Sequence, residues 1–315
     1  MKVAVFGAGA VGAYLGSRFA AARADVHLIA RGDHLRALRE RGLTLVTPDG
    51  VTTTQVWATD DPASIGPVDL VLFCVKSYDT EVVAGRLAPL IGPATAVLSI
   101  QNGIDNEPKI AAAIGGEHVL GAAVYVLAAI ESPGVVRTGP ARVMVGELQP
   151  GPPSQRVLDI VNAARAGGLD AIAVADVRTA KWEKYTVLVA FSAVSAATQL
   201  PLGDIRRAPA AISMIRGLMT EAWTIGRALG VPLAHDLVAR QMELLLTQVD
   251  GAGASLRHDL LTGHRMELEA LQGTLSRLGR ETGVPTPWTD AAYAILQPWA
   301  LRNERPPAER APIPS

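Results

Sequence analysis

Gly7, Gly9 and Gly12 stand directly behind a short β-branched run, 2–6 (KVAVF), and ahead of a run, 13–23, that reads as a helix. Strand, glycine loop and helix in that order leave few folds open. In such a loop the first glycine permits the tight turn. The second lets a pyrophosphate approach the backbone, and the third lets the helix pack on the strand. The helix N-terminus offers N–H groups and a partial positive charge to phosphate. Gly7, Ala8, Gly9, Ala10, Val11 and Gly12 are therefore the first candidate cofactor-binding residues, with a purely structural turn as the plain alternative.

The end of the second strand (DVHLIA, 25–30) decides which dinucleotide fits. An acidic residue there would bond the ribose hydroxyls of NAD. This chain has Ala30-Arg31-Gly32 at that place, about twenty residues past the glycines. A guanidinium suits a 2′-phosphate by charge and by bidentate geometry, so Arg31 points to NADPH/NADP. Asp33 could still serve a ribose, and a solvated loop charge is the bland account of Arg31. His34 either borders the ribose or caps the surface.

Two further apolar runs, 68–75 (VDLVLFCV) and 95–100 (TAVLSI), read as strands buried on both faces, with a crossover helix between them at 78–91. Strands also run through 118–129 and 135–147, with a turn at Pro133-Gly134. Strands alternating with helices predict a doubly wound, mostly parallel sheet, an α/β Rossmann domain. From about residue 178 long helical patterns take over, at 178–198, 205–229, 233–249, 253–282 and 287–301. The organisation expected is a nucleotide-binding domain over 1–175, an all-α domain over 176–302, and a Pro-rich, frayed tail over 303–315. At 315 residues, with 49% hydrophobic and 19% charged residues, the chain is globular and long enough for two cores.

Charge and cysteine usage exclude other classes. Net charge is −1, which argues against a nucleic-acid partner. A single Cys excludes a disulfide framework and a multi-Cys zinc site, and the six His show no H-E-x-x-H pattern, so no metal is expected. No apolar run reaches the roughly 18–20 residues of a membrane span, and no leader is read at the N-terminus, so a cytoplasmic protein is expected. Cys74 reads as a small core residue, and Trp182, Trp223 and Trp288 as packing anchors.

Five stretches together resemble the ketopantoate reductase family, within the 6-phosphogluconate-dehydrogenase-like reductases. They are GAGAVG at 7–12 followed by ARGDHLRAL, VKSYDT at 75–80, QNGIDNE at 101–107, KWEKY at 181–185 and SLRHDLLTGHRMELEAL at 255–271. Order and spacing agree over roughly 1–300. The resemblance implies a Rossmann domain and a helical domain with the active site in the cleft between them. It implies NADPH-dependent reduction of a 2-oxo acid to a 2-hydroxy acid, 2-dehydropantoate to pantoate in pantothenate biosynthesis. By the same resemblance Lys76 lies near the cofactor and Asn102 touches nicotinamide or substrate. Lys184 is the catalytic lysine, Glu267 the supporting glutamate on the late helix, and Ser255 the substrate-binding serine. Read from the residues alone, Lys181 competes with Lys184 and Glu269 with Glu267, and nothing places His258 or His264 at a site.

Reducing a ketone leaves an alkoxide that must be protonated, and a positioned ammonium can do so. The family's substrate-binding asparagines fall here on Leu188, Ser192 and Leu202. The spacing 184, 188, 192 keeps one helical face while the chemistry changes. The expectation is that the reaction type survives while affinity for a hydroxylated ketoacid falls, favouring a more apolar 2-oxo acid or another carbonyl or imine. Thr186, Ser195 and Gln199 are polar alternatives nearby. A non-catalytic NADP-binding regulator is the reading from a different class. The expected assembly is a monomer or homodimer.

Overall fold

The computed structural model describes residues 1–310, which divide into two compact units. Residues 1–101 and 105–180 form one; residues 102–104 join the segment from Lys181 onward in the other.

The first unit is built on a ten-stranded sheet. Its strands are β1 Lys2–Phe6, β2 Asp25–Ile29, β3 Leu43–Thr47, β4 Gly50–Thr54, β5 Trp57–Thr59, β6 Leu70–Phe73, β7 Ala96–Ser99, β8 Val119–Ser132, β9 Val135–Glu147 and β10 Asp170–Ala173. Their order is β4-β3-β9-β8-β7-β6-β1-β2-β5, with β10 beside β9. Only β3–β4 and β8–β9 pair antiparallel; the other pairings are parallel, as the apolar runs predict.

The helices of this unit are α1 Ala10–Ala21, α2 Gly32–Arg41, α3 Thr80–Ala84, α4 Asn106–Ile114 and α5 Gln155–Ala166. Alternation along each strand feeds two cores. Val3, Val5 and Leu72 face Leu15 and Phe19 of α1 and Val157 and Ile160 of α5. Ala4, Phe6 and Phe73 face Val83 of α3 and Ile110 of α4.

Two local readings are corrected. The hairpin β3–β4 and the edge strand β5 were not expected. Pro48-Asp49-Gly50 turns the hairpin, with Gly50 at φ +136°, but β4 is exposed along its whole length and carries no apolar pattern. The crossover 78–91 is a 3₁₀ turn, the short α3 and a second 3₁₀ turn, because Gly85 and Pro89 interrupt the helix. His34 accepts from the Gly134 N–H at Nδ1 (3.1 Å); burial pushes the imidazole pKa down, and a hydrogen bond with the Ala8 backbone opposes that.

Helix α6 Val177–Thr198 carries the chain into the second unit. There follow α7 Leu202–Ile205, α8 Pro209–Ala228, α9 Leu237–Leu246, α10 Ser255–Thr262, α11 Thr274–Thr282 and α12 Pro287–Glu304. The expected helix 205–229 is split by Pro209, which starts α8 at a position where its missing N–H costs nothing. The expected helix 253–282 is also broken. Gly263 caps α10 in the left-handed region at φ +72°, and the chain re-enters helix through a π turn at Glu269–Gly273. Glu267 therefore sits in the link after α10 rather than on a helix.

The tail is tied down further than its composition predicts. Asn303 is buried and donates to the carbonyls of Asp259 and His264, while Arg310 donates to those of Gly263 and Asn303. Residues 311–315 lie outside the described residues. Trp288, expected as an anchor, is 42% exposed on the first turn of α12. Among the described residues no helix is long and apolar enough to cross a membrane.

The start of α12 is held by Glu221 of α8. This buried carboxylate accepts from the N–H of Trp288 (2.8 Å), the N–H of Thr289 (2.9 Å) and the Thr289 hydroxyl (2.6 Å). Glu221→Ala orphans these donors. It is expected to cost about 2–3 kcal/mol, read as a lowered urea midpoint; an unchanged midpoint contradicts this account.

Candidate functional site

In the first unit the glycine loop forms a cradle. Gly7 has φ +93°, and a Cβ there would meet the Val75 backbone nitrogen at 2.9 Å. A Cβ on Gly12 would lie 2.4 Å from the Gly7 carbonyl oxygen. A Cβ on Gly9 would meet nothing within 4 Å, so the loop stands open at its middle glycine. Gly9 is the N-cap of α1, with no side-chain cap and no acidic residue in the first turn. The N–H groups of Ala10, Val11 and Gly12 have no intrahelical acceptor, and an anion fits that mouth.

Arg31 is the N-cap of α2, its side chain 75% exposed and 3.8 Å from the Asp79 carboxylate. A pair so exposed holds the guanidinium weakly. Asp33, the alternative ribose ligand, is 2.8 Å from Arg36. Lys76 is half-buried at the start of the 3₁₀ turn Ser77–Asp79.

A buried polar network links the loops after β6 and β7. Gln101 Nε2 donates to the Val75 carbonyl (3.0 Å) and to Thr80 Oγ1 (2.7 Å), and Thr80 donates to Asn106 Oδ1 (3.0 Å). Gln101, Thr80 and Asn106 are all buried. Sequence reasoning passed over these three. The available signal was polar residues crowded into two motif loops at strand ends.

In the second unit Lys184 Nζ donates to Asn102 Oδ1 at 2.7 Å. Lys184 comes from α6, and Asn102 from a turn at Gly103, whose φ is +96°. Burial pushes the Lys184 pKa down to about 8; the Lys181 ammonium adds to the lowering, and the Glu267 carboxylate opposes it. Lys181 and Glu267 are themselves buried. The ammonium is thus mostly protonated at neutral pH, yet close to releasing its proton.

The remaining candidates divide. Leu188, one turn beyond Lys184, is half-buried and packs with Ile104 against the cluster of Tyr185, Val189 and Leu271. Ser192 is fully buried; its hydroxyl donates to the Val189 carbonyl (3.2 Å) and accepts from Gln272 Nε2 (3.1 Å). Leu202 does not join them: it is wholly buried in a separate core with Leu218 and Met242. Thr186 and Ser195 are also fully buried. Ser255 is exposed on the first turn of α10. Gln272 was missed in the sequence, as was Tyr185, whose hydroxyl donates to the Leu271 carbonyl (2.5 Å). Among the described residues no group of three or more His, Cys, Asp or Glu could hold a metal.

Residues 3–150 match the family model described as ketopantoate reductase PanE/ApbA, and residues 176–300 the model of its C-terminal part. The chain is 30% identical over 333 residues to a 2-dehydropantoate 2-reductase of Mesorhizobium japonicum, spanning 96% of this chain and 99% of that one. A 2-dehydropantoate 2-reductase of Halobacterium salinarum is 31% identical over 290 residues, 91% of this chain and 95% of that one. Among solved structures, a PanE/ApbA family ketopantoate reductase from Ralstonia eutropha JMP134 matches with TM-score 0.89 and 34% identity. That match covers 97% of this chain and all of that one.

The charge balance at Lys184 is directly measurable. In ¹³C-dimethyl-lysine NMR one lysine is expected to titrate near 8, and its signal is expected to vanish in Lys184→Arg. Lys181→Gln removes the neighbouring ammonium and is expected to move that titration upward. Absence of any such low-titrating lysine contradicts the desolvated setting.

Proposed function

The chain belongs to the ketopantoate reductase family, and on that premise we infer that it reduces a 2-oxo acid, 2-dehydropantoate, to the 2-hydroxy acid with NADPH. It is an oxidoreductase acting on the C=O/CH–OH pair, with a nicotinamide cofactor. The observation that carries the reading is the Lys184–Asn102 pair: a desolvated ammonium, held by the Asn102 carbonyl oxygen, poised to lose a proton near pH 8.

The residues divide the work as follows. Gly7, Ala8, Gly9, Ala10, Val11 and Gly12 receive the pyrophosphate, supported by the open space at Gly9 and the uncapped N-terminus of α1. Arg31 takes the 2′-phosphate, supported by its exposure and by the engagement of Asp33 with Arg36. Lys76 and Asn102 serve the nicotinamide end. When bound, the nicotinamide supplies the hydride for the carbonyl carbon.

Lys184 handles the other half of the reduction. Its Nζ gives a proton to the carbonyl oxygen as that oxygen becomes an alkoxide, and the product leaves as the alcohol. Asn102 accepts an N–H of the ammonium and so orients it. Glu267 keeps the buried ammonium charged until transfer, and Lys181 keeps the proton labile. Solvent then restores the proton. Leu188 borders the substrate, with Ser192 behind it. Ser255, exposed in this structure, is the weakest member of the substrate set.

NADPH consumption with 2-dehydropantoate tests the reading. Wild type is expected to turn over, and Lys184→Ala to lose about 10²–10⁴ in kcat while NADPH still binds. Arg31→Ala is expected to raise KM for NADPH about tenfold to a hundredfold and to leave KM for NADH unchanged, the effect of losing a charge-assisted contact. Full activity of Lys184→Ala removes the acid from the mechanism. Equal effects on both cofactors remove Arg31 from the 2′-phosphate.

A further inference from the structure

What lies beside the Lys184 ammonium decides what the enzyme can read besides the carbonyl. The Ser and Thr hydroxyls on α6 beyond Lys184 all turn back into their own helix, while the Tyr185 hydroxyl donates to the Leu271 carbonyl (2.5 Å). Thr186 donates to the Trp182 carbonyl (2.8 Å), Ser192 to Val189 (3.2 Å), Ser195 to Ser192 (3.4 Å) and Thr198 to Val194 (2.7 Å). Each of these hydroxyls has its one proton placed, and Thr186, Ser192 and Ser195 are also wholly buried, so their oxygens are closed to a substrate hydroxyl. Ser192 also accepts from Gln272, which is itself fully buried.

The half-buried residue one turn from Lys184 is Leu188, on the same helical face. Asn102, which holds the lysine, is followed after Gly103 by the half-buried Ile104. Leu188 and Ile104 pack against one hydrophobic cluster, which includes Trp182, Tyr185, Val189 and Leu271. Lys181 and Glu267 bear on the Lys184 charge, while Leu188 and Ile104 supply the apolar side chains next to Lys184 on α6 and next to Asn102 on its turn.

We infer that Leu188 and Ile104 form an aliphatic seat that reads the branched carbon next to the substrate carbonyl, and that no α6 side chain hydrogen-bonds a hydroxyl further along. This rests on the oxoacid-reductase reading above. Its consequence is a specificity. A site that bonds a hydroxyl rejects the analogue lacking it by about 10⁴–10⁵, whereas an apolar pocket separates two substrates differing by a hydroxyl by about 10² at most. 2-Dehydropantoate carries two methyl groups on the carbon beside its carbonyl and a hydroxyl on the next. 3,3-Dimethyl-2-oxobutanoate keeps the methyl groups and lacks the hydroxyl.

The test compares kcat/KM of the wild-type enzyme with NADPH on these two acids and on pyruvate. The two branched acids are expected to fall within about a hundredfold of each other, and pyruvate well below both, since each missing methyl forfeits about 10–200-fold. Leu188→Asn is expected to move the ratio at least about tenfold toward the hydroxylated acid. A wild-type preference for the hydroxylated acid beyond about 10³ overturns the inference, and so does a ratio that Leu188→Asn leaves unmoved. In those cases 2-dehydropantoate is still reduced and the function stands. If none of the three acids is reduced while NADPH binding is seen by fluorescence, the oxoacid reading falls and takes the inference with it.

Discussion

An ammonium taken out of water is unstable unless something compensates it, and the second unit is arranged around that problem. Burial of Lys184 pushes its proton off, and so does Lys181 one turn earlier on α6. Glu267 opposes both, and the Asn102 carbonyl oxygen accepts a hydrogen bond at 2.7 Å. The balance leaves a lysine pKa of about 8, in the range a general acid needs near neutral pH. Much of the neighbouring structure serves to hold these groups in place. Gly103 turns the chain at φ +96° so that Asn102 can present its side chain. The π turn at Glu269–Gly273 supplies Gln272 to the Ser192 hydroxyl and Leu271 to the Tyr185 hydroxyl. A π turn is costly and persists where its side chains are needed.

In the proposed function the first unit solves a different problem, an anion with two phosphates. It does so largely with backbone. Gly7 and Gly12 are forced by close approach of main chain, while Gly9 leaves room outside the loop. The alternating strands beneath bury one face on α1 and α5 and the other on α3 and α4. The β6 and β7 loops are then tied by the Gln101–Thr80–Asn106 network. Such a network is fully buried, so losing one member strands the rest without partners.

Legibility in the sequence followed the strength of local signals. The glycine loop, the buried strands and the Pro133-Gly134 turn were plain, because each depends on residues within a few positions. The β3–β4 hairpin was not, since an exposed edge hairpin has turn chemistry without apolar alternation. The break after α10 hid for another reason. Gly263 lies inside an otherwise helical pattern, and only its φ of +72° shows that it ends the helix. That break moves Glu267 off a helix. Lys184, Asn102 and Glu267 could be named from motifs, but their mutual compensation could not, since it joins residues 82 apart in the chain and more. Leu202 misled for another reason: the family resemblance put it among the substrate-binding positions, while the fold buries it in another core.

The central claim is that Lys184 is the proton donor, with its acidity set by burial and by Lys181. The pH dependence of kcat for carbonyl reduction tests it most directly, measured on wild type and on Lys181→Gln. The donor must be protonated, so the reduction rate is expected to hold level at lower pH and to fall as pH rises through about 8. In Lys181→Gln that falling limb is expected to shift to higher pH, because the neighbouring positive charge is gone. A wild-type rate unchanged well above pH 8, or a limb that stays in place when Lys181 is neutralised, would contradict the account.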